Sequence, residues 1–362
     1  MRTLPKILAL ATGILVTSAS VLADMTAETW GNLSDGREVR LFTLTNQAGT
    51  RVQISNYGAL LVSVETKDRE GKLANITLSY DGLKEALAGG VYGSVVGRFA
   101  NRISDGFTID GTRYDLPSAN PKTLVTIHGG KTGFQRQLWT TTATQDKEAT
   151  SVEFQLYSPD GHEGFPGTVN VSATYTLTES NELIIAYQGE TDKPTHLNLT
   201  NHAYFNLAGR GDVLKHELQM QASGVLELDD RKVPTGKILP VANTAFDFRT
   251  RKPIGRDIES IETGGYDHCF KIISSSNPGP HKFARLVDPH SGRTMDVHTT
   301  KPGVQIYTAN HFKGNPFPHW GGICFETQYY PDAPNQPGFD TSLLRPGEVY
   351  RHITKFVFGV EY

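Results

Sequence analysis

A histidine, a carboxylate and several hydroxyl-binding side chains recur in short clusters along this chain. One cluster is Asn198-Leu199-Thr200-Asn201-His202-Ala203-Tyr204-Phe205. Another is Cys324-Phe325-Glu326-Thr327-Gln328, leading into Pro331-Asp332-Ala333-Pro334-Asn335-Gln336-Pro337. Gly97-Arg98-Phe99-Ala100-Asn101-Arg102, Ile127-His128-Gly129-Gly130 and Gly265-Tyr266-Asp267-His268-Cys269-Phe270 complete the set. A glutamate with a reference pKa near ~4.3 accepts a proton at neutral pH, and a histidine near ~6.5 can donate one. Such a pair serves general acid–base chemistry, each positioned transfer contributing ~10²–10⁴-fold. Arg, Asn, Asp and Gln bond hydroxyls, and an aromatic face covers the apolar side of a sugar ring. The residue types therefore suit proton transfer on a neutral polyol.

The same clusters argue against other chemistries. No His-x-x-x-His or Cys-x-x-Cys spacing supplies metal ligands. Neither a Gly-x-Ser-x-Gly elbow nor a phosphate-cradling glycine loop ahead of a helix occurs. The expectation is a site without metal or cofactor. A formal net charge of -3 disfavours nucleic acid or an anionic membrane as the main partner.

Short alternating segments must position these groups. Residues 37–45, 151–157 and 168–177 alternate apolar with polar, and 182–187, 283–287, 295–298 and 353–360 read as further strands. Asp110-Gly111 between 107–109 and 112–114 predicts a tight hairpin, because such turns demand positive φ. One short helix is expected over 81–87, capped by Asp81 and ended by Gly89-Gly90. The glycine- and proline-rich stretches 276–281 and 315–322 read as loops. An all-β, large antiparallel sandwich follows, forming one domain over 24–362.

In this order and register, the clusters resemble the aldose 1-epimerases (galactose mutarotases). The likeness runs from about Tyr57 to the C-terminus and includes Ser158-Pro159-Asp160-Gly161, Glu163-Gly164-Phe165-Pro166-Gly167, Pro302-Gly303-Val304-Gln305 and Leu344-Arg345-Pro346-Gly347-Glu348. The resemblance implies that family's β-sandwich and a catalytic pair at His202 and Glu326. It also implies sugar contacts from Asn101, Arg102, His128, Tyr204, Asp267 and Gln305. Ala203 departs from the usual serine, and Tyr330 from the type often found there, which leaves hexose preference open. The implied reaction interconverts the α and β anomers of a free hexose, glucose or galactose. Glu326 would take the C1 hydroxyl proton and His202 would protonate the ring oxygen. His128 would bond a ring or hydroxyl oxygen. The expected partner is a free monosaccharide, and the expected state a monomer or weak dimer.

Rival readings remain for some residues. Asp267 could merely anchor a turn, and Asn101 with Arg102 could form a salt-bridged corner. A non-catalytic carbohydrate-binding or sugar-sensing sandwich is the main alternative function. A glycoside hydrolase would use Asp267 and Glu326 but leave His202 and His128 without a role. Cys269 and Cys324, the only cysteines, would share a strand face with Asp267 and Glu326 respectively. Two separate buried thiols are the favoured reading, with pairing the alternative. At the N-terminus, Arg2 and Lys6 precede an apolar run over 7–16 and Val21-Leu22-Ala23. That order predicts a signal peptide over 1–23, cleaved after Ala23, a periplasmic or secreted enzyme, and no membrane anchor after cleavage.

Overall fold

The computed structural model describes residues 24–118, 122–145, 148–273, 275 and 278–362. The segment 1–23, expected to be an export signal, lies outside them. Nearly all regular structure is antiparallel strand, as the alternation predicts. A nine-stranded sheet runs, in spatial order, through Thr140–Gln145, Ala149–Ser158, Val169–Thr178, Glu182–Thr191, Tyr350–Val360, Arg293–Thr299, His281–Val287, Glu217–Met220 and Lys252–Pro253. A six-stranded sheet runs through Tyr204–Phe205, Ile323–Gln328, Gly303–Tyr307, Asp267–Ile272, Ala222–Leu228 and Pro234–Pro240. A five-stranded meander over Asp24–Asn32, Glu38–Thr45, Arg51–Ser55, Leu60–Lys67 and Leu73–Asn75 joins them.

Alternation explains how the larger sheets pack. Val152, Phe154, Ala173, Tyr175, Ile185 and Phe356 of the nine-stranded sheet share one buried cluster with Phe270, Val304, Ile306, Ile323 and Phe325 of the six-stranded sheet. Burying each such large side chain contributes about 1.5–3 kcal/mol. A one-residue slip of Ile323–Gln328 would drive Glu326 into this core, so packing fixes the register. The opposite face of the six-stranded sheet carries the polar groups Asp267, Gln305 and Glu326 among smaller aromatic and thiol clusters.

The hairpin forms as predicted, pairing Phe107–Ile109 with Thr112–Tyr114 across Asp110 (φ 50°) and Gly111 (φ 82°). The helix covers Leu83–Ala88, beginning later than expected, and Gly82 rather than Asp81 stands at its N-cap without a side-chain cap bond. Burial of Leu83 and Ala86, not capping, sets its position. Among the described residues no helix is long and apolar enough to cross a membrane.

Candidate active site

Three neighbouring strands bring the carboxylates together. Gln305 pairs in register with Glu326 and with Cys269, while Tyr307 pairs with Cys324 and with Asp267. Directly opposed residues share a face, so Asp267, Gln305, Tyr307, Cys324 and Glu326 all project from the non-core side. Asp267 is buried and accepts from Gln305 Nε2 at 2.8 Å on Oδ1. Lys232 Nζ lies 3.2 Å and Arg102 Nη2 3.7 Å from its other oxygen.

Two loops deliver the histidines. His202 sits between the short strands Thr200–Asn201 and Tyr204–Phe205. Its amide donates to Ser94 O at 2.9 Å and its carbonyl accepts from Gly93 at 2.9 Å. Asn201 braces this turn by accepting from Ala203 N at 3.0 Å and donating to Tyr175 Oη at 3.0 Å. His128 and Asn101 both adopt positive φ, at 51° and 64°. His128 N donates to Asn101 O at 2.9 Å, and Asn101 N donates back to His128 Nδ1 at 3.2 Å. The following Gly129 is required: a Cβ there would lie 2.0 Å from Gly97 O. Asn101 Oδ1 accepts from Arg102 Nη1 at 3.1 Å, aiming the guanidinium toward Asp267. Asp332, from the proline-rich tail of the Glu326 cluster, accepts from Ser104 N at 2.9 Å and donates its own amide to Arg102 O at 2.7 Å. That tail is a brace for the Arg102 strand.

At the centre, His202 Nε2 lies 3.5 Å from Glu326 Oε1, with side chains 6% and 2% exposed. Glu326 Oε2 is buried without a hydrogen-bond partner. His128 meets the His202 ring edge-on with centroids 5.2 Å apart, and Tyr204 stacks on it at 5.1 Å. Two surface clefts, of about 600 Å³ beside Tyr157 and Gln188 and about 520 Å³ beside Lys301 and His352, contain none of these groups.

Burial reverses the protonation that reference values predicted. Glu326 is pushed up to about 8, first by desolvation and then by the Asp267 charge, with Arg102 opposing. His202 falls to about 4 through desolvation, against a pull from its own main-chain carbonyl and from Asp267. At neutral pH the pair therefore carries one proton, resting on Glu326 instead of forming a carboxylate–imidazolium pair. Desolvation also raises Asp267, but Arg102, Lys232 and Gln305 outweigh it and hold this carboxyl below its usual range. His128 is driven well below its ordinary value by burial and by the neighbouring His202 and Arg102.

His128, His202 and Glu326 offer donor atoms within 4.8 Å of one another, a set of the kind that holds zinc. However, the Asn101 amide occupies the Nδ1 lone pair of His128. A neutral ring then carries its hydrogen on Nε2, where it donates to an oxygen and offers no lone pair to a metal.

All eight residues predicted from sequence come together around this point. Gln305 has the added task of orienting Asp267, and Tyr204 is 4% exposed. Sequence reasoning missed Lys232, which reaches Asp267 from a turn at φ 61°. It also missed Tyr307, Tyr92 and Phe312, which pack with Tyr204 as an aromatic wall. Tyr307 was findable, because two residues beyond Gln305 lies on the same strand face; Tyr92 and Phe312 arrive from distant loops. Both cysteines are free and buried, as favoured, and His268 packs on Phe246 at 4.7 Å.

The aldose 1-epimerase family model matches residues 40–357. A galactose mutarotase of Sus scrofa is 40% identical over 352 residues, covering 94% of this chain and all of that one. An aldose 1-epimerase of Escherichia coli (strain K12) is 35% identical over 363 residues, covering 93% of this chain and 100% of that one. A solved galactose 1-epimerase from Lactobacillus acidophilus NCFM superposes with a TM-score of 0.83 at 29% identity, covering 94% of this chain and 100% of that chain.

Proposed function

The chain belongs to the aldose 1-epimerase family and is an isomerase that interconverts sugar anomers, and from that premise we propose that Glu326 and His202 are its base and acid, acting on free glucose or galactose. The observation that carries this reading is the buried 3.5 Å contact between Glu326 Oε1 and His202 Nε2. Moving the single proton from oxygen to nitrogen across it creates the working pair without changing net charge. Glu326 then takes the proton of the C1 hydroxyl, and His202 delivers its proton to the ring oxygen. The bond between C1 and the ring oxygen breaks, leaving an open aldehyde. Rotation about C1–C2 presents the other carbonyl face, and reclosure runs the same transfers backwards. No electrons or groups leave the sugar.

Other residues serve this cycle. His128, held with its hydrogen on Nε2, donates to a sugar oxygen and stabilises charge as the ring opens. Asp267, oriented by Arg102, Lys232 and Gln305, accepts from sugar hydroxyls and holds the ring while C1 turns. Arg102 and Asn101 bond an edge of the ring, and Tyr204 with its aromatic neighbours covers the apolar face.

Polarimetry on freshly dissolved α-D-glucose and α-D-galactose tests the reading. The wild-type protein speeds the approach to equilibrium rotation, and Glu326→Gln does not. Near-full rate in Glu326→Gln removes Glu326 from the mechanism; sugar binding without acceleration by the wild type returns the binding-module reading. Export rests on the basic, apolar and small-residue order of 1–23. Mass spectrometry of protein from the extracytoplasmic fraction is expected to find an N-terminus at Asp24. An intact Met1 in the cytoplasm would overturn export.

A further inference from the structure

The two histidines differ in what faces Nδ1, and that difference decides which can carry a proton. A main-chain N–H faces Nδ1 of His128. It can only donate, so the neutral ring keeps its hydrogen on Nε2 and acts as a permanent donor. Nδ1 of His202 instead faces a thiol, which can accept a hydrogen bond as a main-chain N–H cannot. Cys324 Sγ lies 3.6 Å away, and the ring also interacts with its own main-chain carbonyl. Cys324 is fully buried and pairs in register with Tyr204, whose side chain also contacts the sulfur. The Tyr204 hydroxyl acts as a donor to the sulfur, which keeps a second lone pair for Nδ1–H.

We propose that Cys324 is a positioning residue that holds His202 with its hydrogen on Nδ1, so that Nε2 keeps a lone pair toward Glu326 and the sugar. This deepens the acid–base reading and rests on it. A histidine that cycles a proton through Nε2 needs Nδ1 protonated throughout; the opposite tautomer would place a second hydrogen against the Glu326 proton. The thiol suits the task because it stays un-ionised: burial, then the Glu326 and Asp267 charges, push it well above its ordinary range. A thiolate would instead draw a permanent positive charge onto the ring.

Nitrogen-15 NMR of histidine-labelled wild-type protein near pH 6.5 reads the tautomer directly, His202 being identified by its loss in His202→Gln. The expected spectrum has hydrogen on Nδ1 for His202 and on Nε2 for His128. Hydrogen on Nε2 of wild-type His202 overturns the proposal whatever any variant does. Cys324→Ala is expected to populate the Nε2–H tautomer and lower kcat about three- to tenfold, the scale of one weak hydrogen bond, with KM changed less than about twofold. Cys324→Ser, which restores an acceptor, is expected to recover the tautomer and most of the rate. Unchanged tautomer and kcat in Cys324→Ala would also overturn it. The acid–base reading fails separately, if His202→Gln keeps its rate while the wild-type tautomer is as expected.

Discussion

Arg98 and Glu326 are nearly equally buried, at 1% and 2% exposure, yet their surroundings are opposite. Arg98 is enclosed by acceptors: Ser158 Oγ and O at 2.9 Å, Pro159 O at 2.6 Å, Pro166 O at 2.9 Å and Gly167 O at 2.7 Å. These carbonyls fold the 158–167 loop around one guanidinium. Desolvation lowers its pKa to about 10, so it remains charged at neutral pH. Glu326 has one oxygen unpartnered, a like charge nearby and a proton it holds to about 8. A buried charge whose hydrogen bonds are complete organises backbone, whereas one left incomplete is poised to react. Both arise from clusters that look alike in sequence, and only the satisfaction of their polar atoms separates scaffold from chemistry.

Substituting both residues gives the sharpest test of that contrast. Glu326→Gln is expected to lower kcat on the order of 10³-fold or more, within the range for a lost proton-transfer group, while the urea midpoint holds or rises. Polarimetry and urea unfolding read the two effects separately. A Glu326→Gln protein that unfolds more easily at neutral pH would show the carboxyl to be scaffold. Linkage adds a sign. The folded pKa of Glu326 is raised from 4.5, so its stabilising contribution is present below pH 4.5 and is lost as pH rises toward about 8. Wild-type stability relative to Glu326→Gln therefore falls between pH 5 and pH 9.

Arg98→Met should do the reverse. Removing the cation strands several buried carbonyls, at a cost of about 3–5 kcal/mol. The urea midpoint drops, while the pH limbs of turnover in the remaining folded protein stay where the wild type has them. A shift of those limbs would mean that Arg98 acts electrostatically on the pair.

The catalytic pair in turn predicts a pH profile. Turnover needs one proton on His202 and Glu326 together. A second proton, entering near His202's value of about 4, removes the base. Loss of the last one, near Glu326's value of about 8, removes the acid. Turnover should be flat between those limits and fall on both sides, the limbs belonging to the pair rather than to single residues. A profile that instead rises through pH 6.5 would indicate histidines at their solution value and contradict the effect of burial.

How much of this was legible in sequence depended on how local the cause is. Strand positions were, because Val169–Thr178 writes its buried face as strict alternation. So were His202, Glu326, Asp267 and Gln305, which lie within recognisable clusters. Lys232 was not: its reach to Asp267 depends on a turn joining Ala222–Leu228 to Pro234–Pro240 and on the register of that hairpin. Nor was the proton's location, since burial of Glu326 and His202 is imposed by segments far away in the chain, and reference pKa values carry no such term.

Asp267 lies between the two extremes, and the smallest expected effect belongs to it. Like Arg98 it is well partnered; like Glu326 it faces the site. Asp267→Asn keeps the shape and one acceptor but removes a charge that raises Glu326. The basic limb of the profile should therefore move to lower pH, by less than about one unit at a separation where charge effects are moderate. KM for galactose should rise about tenfold, the scale of one charge-assisted hydrogen bond. The acid limb should move the same way, since Asp267 also raises His202. Limbs that move together identify Asp267 as a field acting on the whole pair; a rise in KM with both limbs fixed would confine it to holding the sugar.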